Sequence, residues 1–342
     1  MTEFTLSLLW YYIIGASVIF YVALDGFDLG VGIMNFFTKK DEERRVFLNA
    51  IGPVWDGNEV WLVIVGGALF AGFPDVYATL FSGFYNLCMV FLVGLIFRAV
   101  AIEFRSKRES KRWRFTWDAV FSISSLLIAF GLGVVLGNMI EGIPLNENKD
   151  FVGSFSLFFR PFPILIGIFT ISLLMMHGSI YLAMKTEGAL HKRLRRWVKR
   201  CIWVFVSIYA VTSVLSWFYA PHMVQRFKDS PEFLIIPVLA LLAILNVPRM
   251  FTRNSDGWAF LSSCFSIALL FCVYGVGTFP YLVRSSVNPE ANSLSFFNSC
   301  ASVLTLKVLL IIVAIGIPLV LGYGFMIYRI FRGKVKIEKT SY

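Results

Sequence analysis

The chain has 342 residues, of which 58% are hydrophobic and only 15% charged, with a mean hydropathy of +0.74. A soluble domain of this composition could not cover its surface with polar groups, and apolar runs that are continuous rather than alternating exclude a β-barrel. The net charge of +10 would suggest a nucleic-acid partner in a soluble protein; here basic residues flank apolar spans, and membrane topology accounts for them without nucleic acid.

The expected fold is an all-α polytopic membrane protein. About nine transmembrane helices are expected, near residues 8–36, 51–71, 76–103, 117–137, 161–184, 201–220, 232–248, 258–283 and 303–328. The whole of 1–342 reads as a single integral membrane domain with no room for a soluble one. The second span is short, contains Pro53 and two acids, and could be re-entrant. The loops at 37–50, 104–116, 185–200, 249–257 and 329–342 carry 24 Lys and Arg, and the opposite set carries 5. That asymmetry places the first set in the cytoplasm, with the N-terminus outside and the C-terminus cytoplasmic. If 51–71 does not cross, the N-terminus moves inside and the rest keeps its orientation. No cleavable signal peptide is evident. The five cysteines form no CxxC pair and read as buried free thiols.

In chain order, the first span carries Trp10, Tyr11 and Tyr12 near its outer end, as an interfacial belt would. It then holds Asp25 and Asp28 in LDGFDLGVG. The second holds Asp56 and Glu59 in GPVWDGNEVW. Each pair is spaced i, i+3 and so shares one helix face. Asp56 lies about five residues in from the inner face, or ~7–8 Å along a helix. The third span carries Arg98 about a turn before Glu103, and the fifth carries His177 about two turns from its inner end. Gly26 with Gly30, and Gly133 with Gly137, are small-xxx-small pairs that suit close helix packing. The loop SSVNPEANSLS (285–295) is turn-rich and is either ordered or flexible. Lys307 in the last span is best read as snorkelling to the interface.

Ionisable groups within a bilayer are costly, so their default reading is functional. Arg98 could simply neutralise one acid in a structural ion pair or network with Glu103 and His177 nearby. Four acids against one arginine nevertheless leave surplus carboxylate, which in low dielectric can carry a proton. Asp56, Asp25, Asp28 and Glu59 are therefore candidates for a proton pathway, Asp56 foremost because it lies closest to inner water. Histidine is scarce: His191 sits in a basic loop, His222 near an outer helix end, and only His177 is deep. One deep histidine could ligate at most one haem, with a methionine as partner, and a hydrogen-bonding role is the stronger expectation. There is no HExxH, cysteine cluster or P-loop.

LDGFDLGVG, GPVWDGNEVWL, GGALFAGFPDVYA and FSGFYN together resemble subunit II of cytochrome bd-type quinol oxidases. The resemblance continues through FRAVAIEFRSK (97–107), W-x-x-x-WD (113–118), GNMIEGIP (137–144), HGSIYLAMKTEG (177–188), SSVNP and LTLKVLL. It covers essentially the whole chain, although 200–260 matches only in hydrophobic character. It implies a haem-free subunit built as two four-helix bundles plus a peripheral helix, divided at about residue 140. It implies a haem-bearing subunit I as partner, holding haems b and d, in the bacterial cytoplasmic membrane. The complex would oxidise quinol and reduce dioxygen to water with cytoplasmic protons, without pumping. It also implies possible small single-span subunits and a possible structural quinone, whose site does not map onto residues here. By resemblance Asp56 is the acid feeding protons toward the haems, while Glu59 stands where some relatives carry an amide. A proton-coupled secondary transporter using the same acids, and a purely structural assembly partner, are the alternatives; a transporter would show broken helices or inverted repeats.

Overall fold

In lipid every backbone N–H and C=O must bond within the protein, which leaves helices as the form these apolar runs can take. The computed structural model describes residues 2–337. Its helices are α1 (Glu3–Met34), α2 (Asp41–Ile51), α3 (Trp55–Gly72), α4 (Pro74–Gly83), α5 (Tyr85–Phe104), α6 (Lys111–Glu141), α7 (Pro161–Lys185), α8 (Gly188–Tyr219), α9 (Pro221–Asp229), α10 (Ile235–Thr252), α11 (Asp256–Thr278), the single turn α12 (Pro289–Asn292) and α13 (Val303–Ile330). Their ends carry the expected punctuation. Thr2 and Ser302 cap α1 and α13 by accepting from the Thr5 and Thr305 amides. Prolines open α4, α7 and α9, and Gly142, at φ 96°, ends α6.

Among the described residues eight helices are long and apolar enough to cross a membrane, and nine spans result if α2 and α3 count as one span bent by 50°. The expected second span belongs to this bent pair, a broken span or a re-entrant loop: the polar α2 precedes α3, and Gly52 and Pro53 fall in the break. The expected third span differs too. It is two helices, α4 and α5, separated at Phe84, with Gly83 packed on Phe151 of the loop between α6 and α7.

The two expected groups of helices pack closely on each other, with α6 against α7 the most extensive helix pair. Helices α1, α3, α5 and α6 form one four-helix group, and α7, α8, α10 and α11 another. The second group's α7 lies against α1 and α6, joining the two; α13 packs chiefly on α1 and α3 and is mostly exposed. Glycines set these crossings. A Cβ on Gly30 would lie 2.0 Å from the Leu174 carbonyl oxygen and 2.9 Å from Gly178 Cα, so α1 and α7 meet backbone to backbone. Gly133 meets Gly167, and Gly137 meets Pro163, across α6 and α7. The small-residue pairs read from the sequence are the contact points themselves.

One end of the molecule carries the basic loops. At the opposite end strands β1 (Tyr281–Val283) and β2 (Leu294–Ser295) pair antiparallel. Asn292 donates to the Leu145 carbonyl at 2.9 Å, locking the loop after α6 to the loop after α11. The turn-rich loop at 285–295 is therefore ordered.

Candidate functional site

The buried charges of α1, α3 and α5 meet in one cluster. Arg98 and Asp25 are 1% and 0% exposed, and their Nη1 and Oδ1 atoms stand 2.7 Å apart. The other end of the guanidinium donates to Glu59 Oε2 at 3.1 Å. Glu59 is only half-buried, so the cluster reaches the exposed surface of α3 through this side chain. Asp56 lies one turn earlier on the same face, in the first turn of α3, and is exposed on this chain.

Asp28 is fully buried three residues beyond Asp25. Its Oδ2 accepts from the Asn58 amide at 2.7 Å, while its Oδ1 has no hydrogen-bond partner. Asn58 in turn accepts from the Tyr328 hydroxyl at 2.8 Å, which pins α13 to α3. A cavity of about 30 Å³ between α1, α3 and α13 is lined by Leu24, Asn58, Trp61, Tyr323 and Tyr328.

The charge count is uneven. Asp25 and Glu59 share one guanidinium while Asp28 is bonded to the neutral Asn58 amide, so the cluster gathers three carboxyl groups around one cation.

His177 stands apart from the guanidinium. Its Nε2 faces the Ala23 carbonyl oxygen at 2.9 Å and its Nδ1 the Ser263 hydroxyl at 2.7 Å. A carbonyl can only accept, so Nε2 carries a proton and donates to Ala23. The ring lies flat on Phe260, with centroids 4.8 Å apart. His177 therefore joins α7 to α1 and α11. Glu103, grouped with Arg98 and His177 in the sequence reading, is exposed near the end of α5 and is not one of Arg98's ion-pair partners. Among the described residues no three His, Cys, Asp or Glu side chains gather as metal ligands. Lys307 is exposed in the second turn of α13, as snorkelling requires.

A second network, at the basic end, escaped the sequence reading. Arg105, 1% exposed, binds Asp118 with two nitrogens, at 2.5 and 3.2 Å, and reaches Asp41 at 2.6 Å. Arg44 adds a 3.0 Å bond to Asp118, and Arg114 one of 2.8 Å to Asp41. Arg105 and Arg114 looked like solvated topology charges. Their only sequence signal was Asp118, the single acid of the W-x-x-x-WD segment that opens an apolar helix. Asn58 was legible in principle, since it sits between the two acids of its motif. Tyr328 was not, because a tyrosine near the end of a span reads as an interfacial anchor.

The model of the family described as cytochrome bd terminal oxidase subunit II matches residues 6–331. Cytochrome bd-I ubiquinol oxidase subunit 2 of Escherichia coli strain K12 is 32% identical, over 97% of this chain and 96% of its own. Cytochrome bd ubiquinol oxidase subunit 2 of Bacillus subtilis is also 32% identical, over 96% of both chains. A chain in the structure of bd oxidase from Geobacillus thermodenitrificans superposes with a TM-score of 0.79 over 96% of this chain and 99% of that one; at 18% identity this likeness concerns the fold.

Proposed function

The chain belongs to the cytochrome bd terminal oxidase subunit II family, and on that footing we propose that it conducts protons as the haem-free half of a membrane quinol oxidase. It is a multi-pass inner-membrane subunit whose partner is subunit I. The residues here do not suit haem ligation: His177, the one deep histidine, has both ring nitrogens bonded to protein groups. We accordingly assign the b and d haems, and the electron transfer to dioxygen that they supply, to subunit I.

The observation that carries the proton role is the carboxylate excess around Arg98, with an open side through Glu59. With the basic loops in the cytoplasm, the N-terminus lies outside, the C-terminus inside, and Asp56 near cytoplasmic water. Asp56 takes up the proton. Glu59, one turn on along the same face, receives it and passes it across the exposed surface of α3 toward subunit I. Arg98 holds Glu59 in place and neutralises Asp25, while Asn58 fixes the orientation of Asp28. Reduction of dioxygen to water builds negative charge at a buried centre, and protons supplied from this side neutralise it. The two bundles act as one unit in this scheme, since α7 packs on both α1 and α6. Family membership does not favour the secondary-transporter alternative.

Purification of the tagged chain from its native membrane tests the assembly. A co-eluting subunit with b- and d-type bands in the reduced-minus-oxidised spectrum is expected, and the same eluate would reveal bound quinone or small single-span subunits. Asp56→Asn tests the route. Quinol oxidase turnover should fall about tenfold or more with the haem bands unchanged, the scale set by loss of one proton-transferring group. Wild-type turnover in that variant removes Asp56 from the pathway and leaves the chain a structural partner.

A further inference from the structure

Far from the Arg98 cluster, at the end opposite the basic loops, α9, the last turn of α11 and the segment after it border an open cavity of about 220 Å³. Its charged and ionisable lining is His222, Arg226, Asp229, Tyr281 and Arg284, with Gln225 and Thr278 as neutral polar neighbours. The one acid, Asp229, is already bonded to Gln225 at 2.7 Å. The two arginines form no ion pair among the described residues, which leaves the lining net positive. Arg226 Nε and His222 Nε2 are both shielded from solvent and lack a hydrogen-bond partner. A buried donor without a partner is uncommon and costly, and Arg226 Nε belongs to a side chain that lines this cavity. The Arg226 guanidinium lies over the Phe279 ring, 5.5 Å from its centroid, so its flat face is occupied while its edge is left for a ligand.

We propose that this cavity binds the phosphate of an anionic membrane lipid headgroup, with Arg226 and Arg284 as its charged donors. Two guanidinium groups suit phosphate oxygens better than they suit a neutral carbonyl. The setting favours lipid over free phosphate. The cavity lies where α8 and α11 end, beside the exposed Trp217 and Phe218, and Lys228 stands over the Trp217 ring. Aromatic and basic side chains so placed mark the headgroup level of a bilayer. Burial, reinforced by the Arg284 charge and partly offset by the Ile140 carbonyl, pushes the His222 imidazole down to about 4, so it is neutral at pH 7 and the two arginines carry the positive charge of the site.

The test uses the intact detergent-solubilised complex, stripped by detergent exchange. Native mass spectrometry and thermal unfolding are followed with phosphatidylglycerol, phosphatidylcholine or inorganic phosphate added separately. Phosphatidylglycerol should be retained and should raise the unfolding temperature, phosphatidylcholine less so. Arg226→Gln and Arg284→Gln should each weaken retention about tenfold, the effect of losing one charge-assisted hydrogen bond. Arg226→Lys should keep part of it and guards against a variant that fails to assemble. An equal effect from inorganic phosphate would overturn the lipid assignment in favour of a free anion. Retention of phosphatidylglycerol unchanged in both glutamine variants would overturn the site.

Discussion

Replacing Arg98 by glutamine is the sharpest perturbation the cluster offers. Arg98 is 1% exposed and Asp25 is fully buried, and the 2.7 Å contact between them is the only ion pair Asp25 makes among the described residues. Glu59 retains access to the surface when the guanidinium is lost; Asp25 does not. Breaking a buried pair by removing one partner costs about 3–5 kcal/mol, because the other charge is stranded. Since 1.36 kcal/mol is a factor of ten, the loss is roughly two to four powers of ten in the folding equilibrium. The assay is the yield of haem-loaded complex per tagged chain, together with its thermal unfolding. Arg98→Gln should lose most of the complex. Asp25→Asn should be milder, because Arg98 keeps Glu59 at 3.1 Å. Combining the two should recover most of the loss, since replacing both partners of a buried pair is close to neutral. Wild-type yield and melting in Arg98→Gln would refute this reasoning, and so would a double variant no better than Arg98→Gln alone.

Glu59→Gln should preserve assembly, because Asp25 still neutralises Arg98, yet slow turnover in single-turnover proton-uptake measurements; unchanged uptake would exclude it from the route. Gly30→Ala should destabilise the complex by about 1–3 kcal/mol or more, since its Cβ would sit 2.0 Å from the Leu174 carbonyl. Gly15→Ala, with nothing within 4 Å, serves as the neutral control in the same melting assay. His222, pushed from 6.5 down to about 4 in the folded chain, binds a proton more readily when unfolded. Its contribution to stability is therefore full above pH 6.5 and is lost as pH falls toward 4. His222→Gln should flatten that part of the stability profile measured by thermal unfolding across this pH range.

Span positions and the small-residue crossings were legible because lipid leaves a hydrophobic run few alternatives. The convergence of Asp25, Glu59 and Arg98 followed from helix direction and depth alone. The breaks at Gly52–Pro53 and Phe84 were harder to read, because a short polar or aromatic interruption does not lower the average hydropathy of its window. Tertiary partners were least accessible. Nothing local distinguishes Arg105, which is buried on Asp118, from the solvated Arg108 three residues later. Tyr328 meets Asn58 across 270 residues of chain, a pairing that neither periodicity nor spacing encodes.

The sequence separations within these networks also bear on how the chain assembles as it is synthesised. Arg98, Asp25 and Glu59 all emerge before α6, and the clamp of Asp41, Arg44, Arg105, Arg114 and Asp118 is complete by residue 118. The first bundle can therefore quench its intramembrane charges early, without waiting for the second. Asn58 is different, because its hydroxyl partner is synthesised 270 residues later. The bond from Tyr328 is a closing latch, and a chain interrupted before α13 would insert with its charges paired but with that side of α3 unsealed.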